Sequence, residues 1–248
     1  MSDSDSDAFG HALMDHFRGK QTYQIVERDD GFFDSADIGK IYFSEYRNWR
    51  PQTRQALNFA RGRVLDIGCG AGRHSLYLQN TKRLDVLGID ISPLAVKLCK
   101  LRGLKKARVV SITELSFKEK SFDTLLMMGG NFGLLGNAKK AKRLLRRFYK
   151  MTSDHAVIIA QTLDPYKTND PVHNNYHEFN KKRGRLGGQL RLRVRYRNYR
   201  TPWFDYLLAS KEEMNSILDD TGWRLRRFIQ ARASPDYFAI IEKDRKGE

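Results

Sequence analysis

Residues 63–78, RVLDIGCGAGRHSLYL, join a short apolar run to a glycine-rich turn and the start of an amphipathic segment. The run from Arg63 to Ile67 is typical of a buried strand, and the residues after the glycines are typical of a helix. A second strand pattern follows at Val86 to Asp90, and Pro93 then marks the start of another helix. Strands and helices that alternate at this spacing predict βαβ units around a parallel sheet.

The rest of the chain continues this alternation as far as residue 163 and then departs from it. Residues 164–188 are polar and predict a long loop. The remaining strand patterns lie at 108–112, 122–128, 156–163, 189–199, 203–208, 223–229 and 237–242. Helical patterns also lie at 138–151 and 210–221. The chain is therefore predicted to be an α/β protein.

The charge balance is the unusual feature of the composition. Forty-five lysines and arginines against 29 acids give a net charge of +16 over 248 residues, which favours anionic partners. The two cysteines, Cys69 and Cys99, are too few for a disulfide framework or a cysteine zinc cluster. Residues 1–20 carry no secretory signal pattern, and no apolar run of about eighteen residues occurs. We therefore expect a cytoplasmic protein without a membrane partner.

The glycine-rich turn has the pattern G-x-G-x-G over residues 68–72, which lets a ligand approach the backbone closely. A dinucleotide site has its third glycine where this chain has Arg73. Asp66, before the turn, suits a cation better than a pyrophosphate, and Asp90 can accept hydrogen bonds from both hydroxyls of a ribose. A ligand with a ribose, an ammonium, a sulfonium and no phosphate meets these requirements. S-adenosylmethionine is such a ligand.

Three segments in chain order resemble the signatures of one family, the class I S-adenosylmethionine-dependent methyltransferases. They are VLDIGCGAGRHSLYL at 64–78, VLGIDISP at 86–93 and SFDTLL at 121–126. The resemblance covers residues 60–163 and extends beyond them by topology only. It implies a doubly wound, seven-stranded, mostly parallel sheet with an antiparallel last strand, and S-adenosyl-L-methionine as the cofactor. An inserted β-hairpin or loop is expected after the fifth strand.

The domain organisation expected on this basis is a disordered tail at 1–20 and a single methyltransferase domain at 21–248. The domain would contain an N-terminal helical lid, a cofactor-binding half, a substrate-side insertion, and a closing helix with the last two strands. These four parts correspond to residues 21–60, 61–163, 164–209 and 210–248.

The resemblance also implies which residues bind the cofactor. Asp66 and the loop backbone would hold the methionine portion, and Asp90 the ribose, with Ile91 packing on adenine. The turn at 129–131 would meet the amino group and border the transfer site. The family commonly has an acid after the third strand to meet adenine, where this chain has Ser111. The candidate cofactor-binding residues are Asp66, Gly68, Cys69, Gly70, Gly72, Asp90, Ile91, Ser111, Thr113, Glu114, Gly129, Asn131, Tyr42 and Arg47.

Asn131, Tyr42 and His177 are the candidates for a catalytic role. Asn131 could face the methyl group or merely occupy a turn, and Tyr42 could belong to a lid or to the core. Arg47, in the same predicted lid, could pair with the cofactor carboxylate. His177 and Tyr176 lie in the predicted long loop. There they could either contact the substrate or belong to a surface loop. The histidines lack the spacing of metal ligands, so no metal is predicted.

Alternating arginines near residue 194 bear on the nature of the methyl acceptor. Arg191, Arg193, Arg195 and Arg197 alternate along a predicted strand, so they are expected to share one face. That face would either dock an anionic substrate or RNA, or be solvated and paired with acids from elsewhere; the neighbouring predicted strand offers only Asp205. The candidate substrate-binding residues are Arg191, Arg193, Arg195 and Tyr176.

Two other basic segments favour a surface role. Arg73 and His74 begin the first helix after the glycines, where the helix dipole disfavours cations, so a surface position is expected for both. The basic helix at 139–150 is expected to present a solvated face.

The sequence as a whole predicts an enzyme that methylates a small molecule, and an anionic one would suit the arginines. An RNA or a nucleic-acid-associated protein is the alternative acceptor. The second alternative is a non-catalytic binding module that retains the fold. The acceptor atom and the oligomeric state are not predicted.

Overall fold

The computed structural model describes residues 6–232 and 234–244, and it contains the expected succession of strands and helices. The helices are α1 (Ala8–Phe17), α2 (Ile38–Tyr42), α3 (Pro51–Leu57), α4 (Arg73–Asn80), α5 (Pro93–Leu101), α6 (Ala138–Met151), α7 (Pro171–Lys182) and α8 (Lys211–Leu218). The strands are β1 (Tyr23–Arg28), β2 (Phe33–Asp37), β3 (Arg63–Ile67), β4 (Asp85–Asp90), β5 (Lys106–Val109), β6 (Phe122–Met127), β7 (Thr152–Leu163), β8 (Gln189–Tyr196), β9 (Tyr199–Arg200), β10 (Phe204–Leu207), β11 (Trp223–Gln230) and β12 (Asp236–Lys243). Short 3₁₀ helices lie at Tyr46–Asn48, Ile112–Glu114 and Asn131–Leu135.

The larger sheet has seven strands in the order β11-β12-β7-β6-β3-β4-β5. Strand β4 is parallel to β5, and β6 is parallel to β7. The last strand, β12, runs antiparallel to both of its neighbours, β7 and β11. Strand β3 is buried at every position after Arg63, as expected for parallel strands covered on both faces. The predicted fold class is therefore confirmed.

A second, smaller sheet contains β10, β8, β1 and β2 in that order, with β9 paired to β8. The predicted inserted hairpin is present, since Tyr196 of β8 lies opposite Tyr199 of β9 across a tight turn. The helical lid predicted at 21–60 is wrong for residues 23–37, which form the antiparallel pair of β1 and β2. A turn at Gly31, with a φ of 88°, connects these two strands.

The disordered tail predicted at 1–20 is wrong for residues 8–17, which form α1. The Asp7 carboxylate caps this helix by accepting a hydrogen bond from the Gly10 N–H at 2.9 Å. Leu13 is fully buried in a core cluster that also contains Ile38 and Leu98. The Ser/Asp alternation before Asp7 masked a short helix whose apolar residues pack on the rest of the fold. Residues 1–5 lie outside the described residues.

The long loop predicted at 164–188 is also partly wrong, because residues 171–182 form α7. The Asp170 carboxylate caps the helix through the Val172 N–H at 2.9 Å, and Pro171 occupies its first turn. An N-cap acid followed by proline is a helix start signal, but the polar composition of the segment concealed it.

The chain divides into two compact units. Unit 1 consists of the residues up to Trp49, Leu65–Leu115 and Arg191–Phe204, so it includes α1, α4, α5 and the glycine-rich turn. Unit 2 consists of Arg50–Val64, Ser116–Leu190 and the residues from Asp205 onward, so it includes β6, β7, β11, β12 and helices α6 to α8. None of the helices in residues 6–232 and 234–244 combines the length and apolarity needed to cross a membrane.

Candidate functional site

The glycine-rich turn in unit 1 connects β3 to α4 and is tied to β4. The N–H groups of Gly68 and Cys69 donate to the Ile89 carbonyl at 2.8 and 3.0 Å. Gly68, Gly70 and Gly72 have φ angles of 73°, 54° and 77°, which side-chain-bearing residues rarely adopt. The Cys69 thiol is buried and lies 3.7 Å from the Cys99 sulfur, so the side chain packs beneath the turn. The turn therefore presents mainly its glycine backbone to a ligand.

Asp66 lies on β3 immediately before the turn, and its carboxylate is buried. Its Oδ2 accepts a hydrogen bond from the Ser75 hydroxyl of α4 at 2.6 Å. Burial raises the pKa of Asp66 to about 7, and the nearby charge of Asp90 acts in the same direction. A buried carboxylate that is poorly stabilised by its surroundings has a strong preference for a cationic ligand.

Asp90 ends β4 and is also buried. Its Oδ2 accepts from the Gly70 N–H at 2.9 Å, and its Oδ1 accepts from the Ser92 N–H at 3.0 Å. Burial raises the pKa of Asp90. The Ile91 N–H also donates to this carboxylate. A carboxylate has about four acceptor positions, so these three bonds leave capacity for a further hydroxyl donor. The next residue, Ile91, is 73% exposed and offers an apolar face beside that carboxylate.

Arg73 and His74 do not have the surface position expected for them. His74 is buried, its ring lies 4.8 Å from that of Trp49, and its Nε2 has no hydrogen-bond partner. Burial lowers the pKa of His74 well below its usual value, so the ring is neutral at pH 7. Arg73 Nη1 donates to the Ser44 hydroxyl at 2.9 Å. The helix-dipole rule failed here because it describes solvated side chains, whereas these two are enclosed by the segment around Trp49.

Aromatic residues from the N-terminal segment lie against the turn. A methyl group at Gly70 would lie 3.4 Å from Tyr42 Cδ1 and 3.5 Å from Phe9 Cζ. The two rings meet edge to face with centroids 5.0 Å apart, and the Tyr42 hydroxyl donates to Gln24 at 3.2 Å. Tyr42 was expected near the cofactor, whereas Phe9 was missed because it falls in the segment predicted to be disordered.

Arg47 does not share this environment. Its side chain is 80% exposed and forms an ion pair with Glu45 at 3.2 Å. The structure therefore gives no support to its predicted pairing with the cofactor carboxylate.

The candidates after β5 form a small polar turn. Ser111 precedes the 3₁₀ helix Ile112–Glu114, and its hydroxyl lies 2.8 Å from that of Thr113. The Val110 N–H donates to the Asp90 carbonyl at 3.0 Å, which places this turn beside the end of β4. Ser111, Thr113 and Glu114 therefore stay candidates for adenine contacts.

In unit 2, the turn after β6 is held by two side chains that sequence reasoning missed. Gly129 and Gly130 have φ angles of 69° and 86°, and Asn131 begins the following 3₁₀ helix. The Gly129 N–H donates to Gln161 Oε1 at 2.8 Å. The Tyr206 hydroxyl donates to the Gly130 carbonyl at 2.6 Å. Because Gln161 and Tyr206 come from β7 and β10, only the tertiary structure reveals these contacts.

Tyr176 and His177 lie on α7 and are both buried. The His177 ring lies 5.5 Å from that of Tyr166, whose hydroxyl donates to Glu213 Oε1 at 2.5 Å. These contacts account for the burial of His177. Its catalytic role and the substrate role of Tyr176 stay predictions.

Two arginines of β8, Arg193 and Arg195, and Arg197 just after the strand are paired with acids from elsewhere in unit 1. Glu27 of β1 lies opposite Arg193 and accepts from its Nε and Nη2 at 2.5 and 2.8 Å, and from Arg195 Nη1 at 3.3 Å. Those hydrogen bonds, chiefly the one from Arg193, lower the pKa of Glu27. Arg197 has left the strand, with a φ of 50°, and pairs with Asp15 at 3.4 Å. For these three arginines the structure agrees with the alternative of pairing with acids from elsewhere, and Glu27 was not foreseen as a partner because β1 was not predicted to be a strand.

In the described ranges, no group of three or more histidine, cysteine or acidic side chains could hold a metal ion. Two open surface concavities lie in unit 2, at the amino end of β7, and residues such as His155, Arg224 and Lys243 line them. Ligands of open α/β sheets bind at the carboxyl ends of the strands, so these concavities are on the wrong edge for a cofactor.

Comparison with known proteins agrees with this geometry. Residues 64–155 match the methyltransferase-domain family. The chain is similar to a solved S-adenosylmethionine-dependent methyltransferase from Bacteroides fragilis in complex with S-adenosyl-L-homocysteine, with 26% identity and a TM-score of 0.81. That similarity covers 96% of this chain and 95% of the other.

Curated relatives match shorter parts of the chain. An uncharacterized protein of Methanocaldococcus jannaschii is 29% identical over 160 residues, which are 64% of this chain and 59% of that protein. A ubiquinone biosynthesis O-methyltransferase of Xanthomonas oryzae is 38% identical over 80 residues, 29% of this chain and 32% of that protein. The chain thus matches less than two thirds of the length of these relatives. Residues 64–155 thus match a methyltransferase domain, and the chain has the fold of the class I S-adenosylmethionine-dependent methyltransferases.

S-adenosylmethionine is the cofactor of this class, and the residues of unit 1 fit it. Asp66 is a buried carboxylate without a cationic partner, Asp90 has free acceptor capacity, and Ile91 exposes an apolar face. Gly70 brings backbone close to the site without a side chain in the way. A phosphate group would instead meet two buried carboxylates, which argues against a dinucleotide.

Proposed function

We propose that the protein transfers a methyl group from S-adenosylmethionine to a small-molecule acceptor. The single observation that carries this proposal is the pair of buried carboxylates, Asp66 and Asp90, that flank the glycine-rich turn in unit 1. The cofactor supplies the chemistry when bound, because its sulfonium makes the methyl carbon an electrophile and its thioether a leaving group. The protein then has to hold and align the reactants and exclude water.

The cofactor-binding roles follow from the positions of the side chains. Asp66 accepts the ammonium group of the methionine portion, which compensates the cost of its burial. Asp90 accepts a hydrogen bond from a ribose hydroxyl while its bonds to Gly70 and Ser92 keep it in place. Ile91 packs on adenine, and the turn at 111–114 meets the edge of that base. Phe9 and Tyr42 cover the turn and keep water from the cofactor.

The acceptor is proposed to be a small molecule for two reasons. Arg193 and Arg195 are paired with Glu27, and Arg197 is paired with Asp15, so these three do not form an open face for a polyanion. The same pairing removes the reason to require an anionic acceptor. The similarity to an O-methyltransferase of ubiquinone biosynthesis, although limited to 80 residues, is also in line with a small acceptor.

A second candidate acceptor, RNA, is favoured by the exposed side of α6. Lys139, Arg143, Arg146 and Lys150 lie at intervals of four, three and four residues, so they form one stripe along the helix. In the part of the chain that the structure describes, no carboxylate lies within salt-bridge distance of Lys139, Arg143 or Lys150. A linear stripe of cations suits the phosphates of a nucleic-acid strand.

Incubation with methyl-labelled cofactor and a cell extract distinguishes these functions. We expect label in the small-molecule fraction with the wild type and its loss with Asp90→Ala. Label in RNA that disappears in a Lys139→Gln/Arg143→Gln/Lys150→Gln variant would instead establish the second candidate. The matched control is Lys97→Gln/Lys100→Gln/Lys105→Gln, which removes the same charge from exposed positions in unit 1. Cofactor binding without label in any fraction would indicate a non-catalytic binding module.

A further inference from the structure

Arg73 is a partly buried arginine of unit 1 that, unlike Arg28 and Arg193, has no acidic partner in the described residues. Arg28 is paired with Asp30 at 2.7 Å, and Arg193 is paired with Glu27. Arg73 is partly buried, yet its guanidinium makes only the one hydrogen bond to the Ser44 hydroxyl. Within the described ranges no carboxylate lies within 4.0 Å of it. A partly buried cation with an incomplete set of acceptors favours an anionic ligand.

The side chain is nevertheless held in place. Trp49 lies beneath the guanidinium at 6.0 Å from ring centroid to Cζ, and the Trp49 Nε1–H donates to the Ser44 carbonyl at 3.0 Å. His74, the next residue, packs its ring on the same Trp49. Ser44 and Trp49 thus hold the Arg73 side chain in place. In the described residues, only one of its five N–H donors forms a hydrogen bond.

The start of α4 adds uncapped donors at the same place. Its N-cap is Gly72, which has no side chain to accept from the first turn. Helix α3 also has no side-chain cap and begins with Pro51, whereas α1, α2, α5, α6, α7 and α8 are capped by an aspartate, asparagine or serine side chain. The positive end of the α4 dipole and the Arg73 charge therefore favour an anion together.

A group of opposite charge lies on the other side of this helix start. Asp66 is bonded to Ser75, two residues after Arg73. The charges of Asp66 and Arg73 influence each other, but the two side chains do not form an ion pair. One carboxylate and one guanidinium, both short of partners, match the ammonium and carboxylate of an α-amino acid.

We propose that Arg73, positioned by Ser44 and Trp49, binds the carboxylate of the methionine portion of the cofactor and makes that carboxylate necessary for tight binding. This inference rests on the proposed function, since it assumes that the turn binds S-adenosylmethionine. Arg73 thereby takes the role that the sequence predicted for Arg47, whose side chain is exposed and paired with Glu45.

The test compares two ligands by calorimetric titration: S-adenosylhomocysteine and its decarboxylated analogue, which retains the amine, ribose and base. Arg73→Ala should weaken binding of S-adenosylhomocysteine about 10- to 100-fold and leave binding of the analogue within about twofold, because only one ligand loses a charged partner. Arg73→Lys should restore part of the affinity, since it keeps the charge but not the fork of donors. Arg47→Ala is the control and should change neither affinity.

The outcomes separate this inference from the proposed function. An equal loss for both ligands in Arg73→Ala would mean that Arg73 only stabilises the fold, and it would overturn the inference. An unchanged affinity for S-adenosylhomocysteine would overturn it as well. Failure of the wild type to bind S-adenosylhomocysteine at all would instead overturn the proposed function.

Discussion

Asp66 has an environment that opposes its charge, and this affects both stability and binding. Burial raises its pKa to about 7 in the folded protein, against a value of about 4 for an unperturbed aspartate. The folded state therefore binds this proton more tightly than the unfolded state does. As a result, its contribution to the free energy of unfolding decreases as the pH rises through the range between those two values.

Asp66→Asn should consequently stabilise the ligand-free protein while weakening its function. Near pH 8 we expect a gain on the order of 2 kcal/mol, or a rise in Tm of about 4–8 °C, because the variant has no charge to bury. The gain should shrink as the pH is lowered towards about 5, where the wild-type carboxyl is protonated in the folded state. Thermal melts of both proteins at the two pH values measure this. A variant that melts below the wild type at both would contradict the assignment of a strained, uncompensated carboxylate.

The affinity of the wild type should show the opposite dependence on pH. Because the cofactor ammonium needs the ionised carboxylate, binding of S-adenosylhomocysteine should weaken by up to about tenfold per pH unit below about 7. In Asp66→Asn the affinity should be lower and this slope should vanish. The same slope in both proteins would assign the titration to another group.

At the scale of elements, α1 is anchored to α5 through one side chain. The Asp7 carboxylate caps α1 and also accepts from the Ser92 hydroxyl at 2.9 Å and the Leu94 N–H at 3.1 Å. Anchoring α1 keeps Phe9 over Gly70. A loss of α1 would therefore both destabilise the N-terminal segment and remove Phe9 from the glycine-rich turn.

Asp7→Ala should lower the free energy of unfolding by about 2 kcal/mol, since it removes a helix cap and two further hydrogen bonds. It should also weaken S-adenosylhomocysteine binding, because Phe9 loses its support. Urea unfolding and titration measure the two effects. Asp85→Ala is the control, since Asp85 forms an exposed pair with Lys106 away from α1, and it should change neither quantity. Equal effects of the two substitutions would show that α1 is not anchored through Asp7.

The turn after β6 depends on β10 in a comparable way. Tyr206→Phe removes the hydroxyl that donates to the Gly130 carbonyl and leaves the ring in place. We expect the turnover number to fall about tenfold while binding of S-adenosylhomocysteine changes little, since small misalignments slow transfer. Steady-state kinetics measures the turnover number, and calorimetric titration measures the affinity for S-adenosylhomocysteine. Tyr196→Phe, which removes a hydroxyl bonded to Asp15, is the matched control. A loss of affinity without a loss of rate would contradict this role.

At the scale of the whole molecule, the predictable part of the fold is the part whose signals are local in sequence. Strands β3 and β4 were predictable because a parallel strand needs a continuous apolar run, and the turn at 68–72 because glycine alone tolerates its backbone. Asp66 and Asp90 followed, since their positions at strand ends are determined by those runs. On this basis we expect the cofactor at the carboxyl ends of β3 and β4.

The features that sequence reasoning missed depend on contacts between distant segments. Glu27 neutralises Arg193 only because β1 and β8 pair across more than 160 positions of the chain. Trp49 encloses Arg73 for a similar reason, since it comes from a separate segment. Neither contact can be read from the local sequence: Arg73 was expected at the surface because of the helix dipole, and Arg193 was left open between a docking face and a solvated face.

The central claim is that the glycine-rich turn and its two aspartates bind S-adenosylmethionine and not a dinucleotide. Calorimetric titration of the wild type with S-adenosylhomocysteine, and separately with oxidised nicotinamide dinucleotide, tests it most directly. We predict saturable binding to a single site for S-adenosylhomocysteine and no heat for the dinucleotide. Binding of the dinucleotide, or no binding of S-adenosylhomocysteine, would contradict the account.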